Sequence, residues 1–115
     1  MDFDGKIYIY TDPGGNKSSY WGRLENGYVY EGEMYGRGGL RYRLSEENHL
    51  GERFLYEGPS NKVLGYRIVQ DKYDDDMYYF YEGFDFTHLA FVLRGDMIYK
   101  DKYGKDGFMF RLKQI

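Results

Sequence analysis

Asn26-Gly27 stands between Trp21-Gly22-Arg23-Leu24-Glu25 and Tyr28-Val29-Tyr30-Glu31. A two-residue type I′ turn needs positive φ at both central positions, and Asn followed by Gly tolerates this best. Once the turn is placed, the register is fixed: Glu25 faces Tyr28, Leu24 faces Val29, Arg23 faces Tyr30 and Gly22 faces Glu31. Side chains alternate across a strand. Leu24 and Val29 therefore share a small apolar face, while Trp21, Arg23, Tyr28 and Tyr30 share an aromatic one. Arg23 is positioned to lie over a tyrosine ring.

The rest of the chain has the same character. Fifteen Tyr and 16 Gly accompany a lone alanine, Ala90, in 115 residues. Tyrosine is enriched in strands and glycine marks turns, whereas alanine favours helices. Ile, Leu and Val total only 18, so tyrosine and phenylalanine must supply much of the core. A buried phenol needs a partner, so many tyrosines are expected on exposed or half-buried faces.

Turn signals divide the chain into about ten short strands. Ile7 and Ile9 alternate with Tyr8 and Tyr10 before Asp12-Pro13-Gly14-Gly15. Beyond the central hairpin come Leu40–Leu44, a polar loop from Ser45 to Gly51, and Arg53–Glu57, which ends at Gly58-Pro59. Val63–Lys72 follows, and Asp74-Asp75-Asp76 separates it from Met77–Glu82. Thr87–Arg94 alternates little, which predicts burial on both faces. Gly95-Asp96 leads to Met97–Asp101, and Asp106-Gly107 opens a closing hairpin into Phe108–Leu112. The expectation is one all-β domain over residues 1–115, a meandering antiparallel barrel or sandwich.

Matching segments recur in order. Tyr28-Val29-Tyr30-Glu31-Gly32 matches Tyr79-Phe80-Tyr81-Glu82-Gly83, and Leu40-x-Tyr42-x-Leu44 matches Leu89-x-Phe91-x-Leu93. One reading is a duplicated four-strand unit, residues 6–44 and 53–94, with 96–113 as a closing hairpin. The other is composition alone in a Tyr/Gly-rich chain. The Ile-Tyr, Gly-Arg-Leu, Asn-Gly, Val-Tyr unit resembles small bacterial and phage β-hairpin repeat proteins of the β-flower type. Tyr30-Glu31-Gly32-Glu33-Met34 with Gly36, Gly38 and Gly39 is similar to one MORN repeat, although the chain lacks the short fixed period of a true MORN array. The resemblance covers residues 7–70 and implies an interaction or scaffold role, with no site residues carried over.

No catalytic constellation, metal site or cofactor motif is expected. His49 and His88 lie on distant segments, His49 in a solvated loop and His88 as a structural residue opening a buried strand. Asp71, Asp74, Asp75 and Asp76 lack EF-hand spacing, and no Gly-x-Ser-x-Gly occurs. Net charge is −3 with acidic and basic groups interspersed, which argues against nucleic acid. The polar start and the absence of a long apolar run point to a cytoplasmic, non-membrane protein, and the absence of cysteine excludes a disulfide framework. Arg37, Arg41 and Arg43 form one local basic patch suited to an acidic partner, a phosphate or a base.

The candidate binding residues are Trp21, Arg23, Tyr28, Tyr30, Arg37, Arg41, Arg43, Tyr79 and Tyr81, since aromatic rings and arginine dominate binding hot spots. The leading expectation is a non-enzymatic protein of inhibitor, immunity or anti-defence type that grips a protein partner through this face. The alternative is a lipocalin-like barrel holding a nucleotide, sugar or other small molecule, with Arg67 or Arg94 as polar anchor. An exposed edge strand carrying tyrosines would also permit a homodimer.

Overall fold

The computed structural model describes residues 1–32, 39–58, 63–82 and 87–115. Its strands are β1 (Ile7–Tyr10), β2 (Tyr20–Glu25), β3 (Tyr28–Glu31), β4 (Gly39–Leu44), β5 (Glu52–Glu57), β6 (Leu64–Gln70), β7 (Met77–Glu82), β8 (His88–Arg94), β9 (Met97–Tyr99) and β10 (Phe108–Gln114). Each strand pairs antiparallel with the next, and β1 pairs with β10 to close a barrel. The chain is all-β and barrel-shaped, which decides between barrel and sandwich. Among the described residues closure leaves no edge strand, so the sequence-based route to a homodimer by edge pairing has no edge there to use.

The central hairpin has the expected register in full, with Glu25 opposite Tyr28, Leu24 opposite Val29, Arg23 opposite Tyr30 and Gly22 opposite Glu31. Asn26 and Gly27 both take positive φ, 54° and 80°. Gly27 O also accepts a hydrogen bond from Leu44 N at 2.7 Å, which ties the turn to β4.

The pairing registers reveal a period shorter than the four-strand echo. In every hairpin made by an odd strand and the strand after it, the even strand carries one residue with no ladder partner. These residues are Trp21, Arg41, Gly65, Ala90 and Met109. Each is a β-bulge, an extra residue that sharpens the local twist and bend. The bulges recur at one level of the barrel, where they supply the curvature that closure needs. After each comes a three-residue step: Gly22-Arg23-Leu24, Tyr42-Arg43-Leu44, Tyr66-Arg67-Ile68, Phe91-Val92-Leu93 and Phe110-Arg111-Leu112.

The last residue of every step is buried, as are Ile7, Val29, Phe80 and Ile98 on the odd strands. These side chains form the core inside the barrel. Phe3 joins them from the segment before β1. Its ring meets Tyr78 edge-on at 5.0 Å and lies under Arg53 at 5.8 Å. Arg53 donates from both terminal nitrogens to the two Asp4 oxygens at 3.1 Å. This fork holds the Asp4 carboxyl below its usual range.

β8 is buried on both faces at Val92 and Leu93, each 0% exposed. Leu93 belongs to the core. Val92 faces outward opposite Tyr79 and Tyr99. It is covered by the 101–106 segment, where a Cβ added at Gly104 would stand 3.5 Å from Val92 Cγ1.

Candidate functional site

Inside the barrel lies a cavity of about 310 Å³, partly open to solvent and floored by core residues such as Ile7, Leu24 and Ile68. Its wall includes Trp21, Tyr42, Tyr66, Phe91 and Phe110 from the even strands, with Ile9, Val29, Leu55 and Phe80 from the odd ones. The two sets alternate around the barrel because the middle residue of each three-residue step points outward and its neighbours point in. Trp21 stands 5.6 Å from Phe110, and Tyr66 lies 5.1 Å from Phe91. Removal from water, the neighbouring Tyr42 phenol and the Glu82 and Glu57 carboxylates all push the Tyr66 hydroxyl up from its ordinary pKa. At neutral pH it is a hydrogen-bond donor, not a phenolate.

Trp21 therefore differs from the sequence-based expectation. Simple alternation puts it beside Arg23, Tyr28 and Tyr30, but the bulge at Trp21 breaks the alternation and the indole lines the cavity. Arg67 and Arg94 are corrected in the opposite direction. Arg67 stands opposite Phe54 and Tyr81 on the outer wall, donates to Glu52 at 2.8 Å, and lies 5.1 Å from the Tyr81 ring centre. Arg94 pairs across the ladder with Met77 and Met97, the same outward set as Val92. Neither arginine is an interior anchor.

The remaining candidates gather on the outer wall in cross-strand rows. Tyr8, Arg23 and Tyr30 make one row; Tyr28, Arg43 and Tyr56 make the second; Phe54, Arg67 and Tyr81 make the third. Arg23 sits 4.6 Å from the centre of the Tyr30 ring and donates to Glu25 at 3.0 Å. Along the odd strands, Tyr28–Tyr30, Phe54–Tyr56 and Tyr79–Tyr81 each have ring centres 6.4 Å apart. Arg41, the bulged residue of β4, donates to Glu31 at 2.7 Å. Arg37 lies outside the described residues.

No family model, no curated protein and no solved structure matches the chain.

The other titratable clusters have local roles. Asp71 accepts hydrogen bonds from Tyr73 N and Asp74 N, and from the Tyr79 hydroxyl at 2.5 Å. That last bond raises the Tyr79 pKa to about 12 and lowers that of Asp71. The acidic run thus shapes the β6–β7 turn. His88, expected as a structural histidine at the head of β8, has a side chain 78% exposed with Nε2 3.9 Å from Glu82. Among the described residues, no group of three or more His, Asp or Glu is arranged to hold a metal ion. No helix among them is long and apolar enough to cross a membrane.

The ligand-barrel alternative expects a cavity lined by Tyr and Phe without naming which ones, yet a signal for them is present. Leu-x-Tyr-Arg-Leu at 40–44, Leu-x-Tyr-Arg-Ile at 64–68 and Phe-x-Phe-Arg-Leu at 108–112 repeat one pattern. In it, the aromatic and the final aliphatic residue belong inside and the arginine outside.

Proposed function

We propose that the protein is a non-enzymatic binding protein whose barrel receives one small apolar molecule. The observation that carries this reading is the cavity of about 310 Å³. Protein interiors seldom leave voids larger than a water molecule. Apolar wall atoms facing such a space lack packing contacts on one side. An apolar occupant would restore those contacts. The size suits a ligand at the small end of the usual pocket range. The wall is apolar and aromatic, with the Tyr42 and Tyr66 hydroxyls as its polar handles.

The chain's lone tryptophan, Trp21, belongs to that wall, so occupancy has a built-in optical reporter. Titration with benzene, naphthalene and decanol is expected to change Trp21 emission saturably and to raise Tm for at least one probe. Leu55→Phe, which fills part of the space, is expected to raise Tm without ligand and to blunt the response. Unchanged emission and Tm across the whole panel would sink the reading.

A second reading concerns the outer wall. The repeated aromatic pairs at 6.4 Å with interleaved arginines are side-chain types that anchor protein partners. This supports engagement of another protein, of inhibitor or immunity kind. Tyr30→Ala and Tyr81→Ala would weaken such a complex and leave the Trp21 response to apolar probes intact.

A further inference from the structure

The outer arginines at equivalent positions of the repeat are not equally satisfied. Arg23 holds Glu25 at 3.0 Å, Arg67 holds Glu52 at 2.8 Å and Arg111 holds Asp96 at 3.3 Å. Arg23 and Arg67 also lie over tyrosine rings. Arg43, at the same step of β4, has neither an ion pair nor a ring beneath it among the described residues. The reason is local. Where β2 continues from Arg23 to Glu25, β4 continues from Arg43 to Ser45, whose hydroxyl donates to Glu46 O and accepts from Phe54 N.

Arg43 nonetheless sits in a formed recess. A groove of about 550 Å³ runs past it, with Tyr28 and Tyr56 on either side and the Asn26-Gly27 turn below. Arg53 borders the same groove, but its charge is already met by Asp4. Glu46 stands at the exposed lip without pairing to Arg43. What remains is a half-buried guanidinium fork with free donors, flanked by two phenol rings that stand directly opposite it on the neighbouring strands.

We propose that this recess is a binding site for a small oxyanion carried on an aromatic ring, a carboxylate or a phosphate. The fork presents paired N–H donors of the geometry that carboxylates and phosphates accept, and Tyr28 or Tyr56 offers a face for the ring. The site lies on the outside of the barrel and does not depend on the cavity being filled.

The probes are phenyl phosphate and benzoate, which separate the two anions, and inorganic phosphate, which lacks the ring. Binding is read from the backbone amide resonances of Gly27, Tyr28 and Tyr56, which line the groove and remain in every variant, in an ¹⁵N–¹H spectrum of the full chain. Either aromatic probe is expected to saturate in the millimolar range and to bind more tightly than inorganic phosphate. Arg43→Gln should weaken binding about tenfold or more, with Lys72→Gln, an exposed cation away from the groove, unchanged. Arg43→Lys keeps the charge but loses the fork, and should bind more weakly than wild type even if the Gln variant folds poorly. The inference is overturned if neither aromatic probe saturates, if Arg43→Gln and Arg43→Lys both bind as wild type, or if inorganic phosphate binds as well as phenyl phosphate.

Discussion

The wall around β4 and the wall around β8 are built on the same step of the repeat and solve it in opposite ways. On β4 the outward residue is Arg43, open to a groove between Tyr28 and Tyr56. On β8 it is Val92, fully buried between Tyr79 and Tyr99 and covered by the 101–106 segment. Backbone pairing is alike at both places, down to the bulge two residues earlier. A single outward side chain therefore marks whether a stretch of barrel wall stays available or is sealed by its own loop. An arginine must keep its charged head solvated, whereas a valine gains from being covered.

Exchanging the two residues should break the comparison most sharply. Val92→Arg would force a charge beneath the covering loop and is expected to cost about 3–5 kcal/mol, read by chemical denaturation. Arg43→Val, at the open site, should change stability by less than about 1 kcal/mol. Similar costs at both positions would mean that the loop over Val92 is not a tight cover.

A smaller effect is expected at the cover itself. Gly104 has φ +67°, and an added Cβ would approach Arg94 Cβ to 3.0 Å. Gly95 has φ +63° with nothing within 4 Å. Both Ala variants bear the backbone strain of roughly 1 kcal/mol, so the extra loss in Gly104→Ala measures the packing of the loop alone.

The smallest effect is electrostatic, beside the sealed wall. Tyr79 has its pKa raised to about 12 from 10.0 by donating to Asp71. The bond therefore contributes fully below pH 10, and its contribution falls away as pH rises from there through about 12. Tyr79→Phe should lose less Tm than wild type across that interval, and the two profiles should run parallel below it down to the carboxylate range. There wild type loses more, because the same bond lowers the Asp71 pKa. Parallel profiles throughout would remove the bond from the β6–β7 turn.

Much of this architecture is legible in the sequence because its signals are local. Asn26-Gly27 specifies a turn, the turn specifies a register, and Arg23 over Tyr30 follows from that register. The strands between Gly, Pro and Asp punctuation emerge for the same reason. The bulges do not. One inserted residue inverts every later side chain on its strand, and Trp21 in a Tyr-Trp-Gly-Arg run carries no mark of being the extra one. Arg67 and Arg94 suit an interior anchor only while their strands are read singly; the repeated aromatic-Arg-aliphatic step is what turns Arg67 outward. Closure depends on Ile7 meeting Gln114 and Tyr10 meeting Arg111, and no short window of sequence contains both partners.

That distant pairing also shapes how the molecule must come into being. While the chain leaves the ribosome, the hairpins can form one after another from neighbouring residues. β1 nevertheless waits with one side of its backbone unmet until Phe108–Gln114 emerges. Until then the nascent sheet is an open ribbon, and its cavity-forming rings have no enclosure. The final ladder joins the most widely separated strands in the chain and carries the largest loop-closure entropy. Assembly should therefore end in one late, concerted step that shuts the ribbon into a barrel.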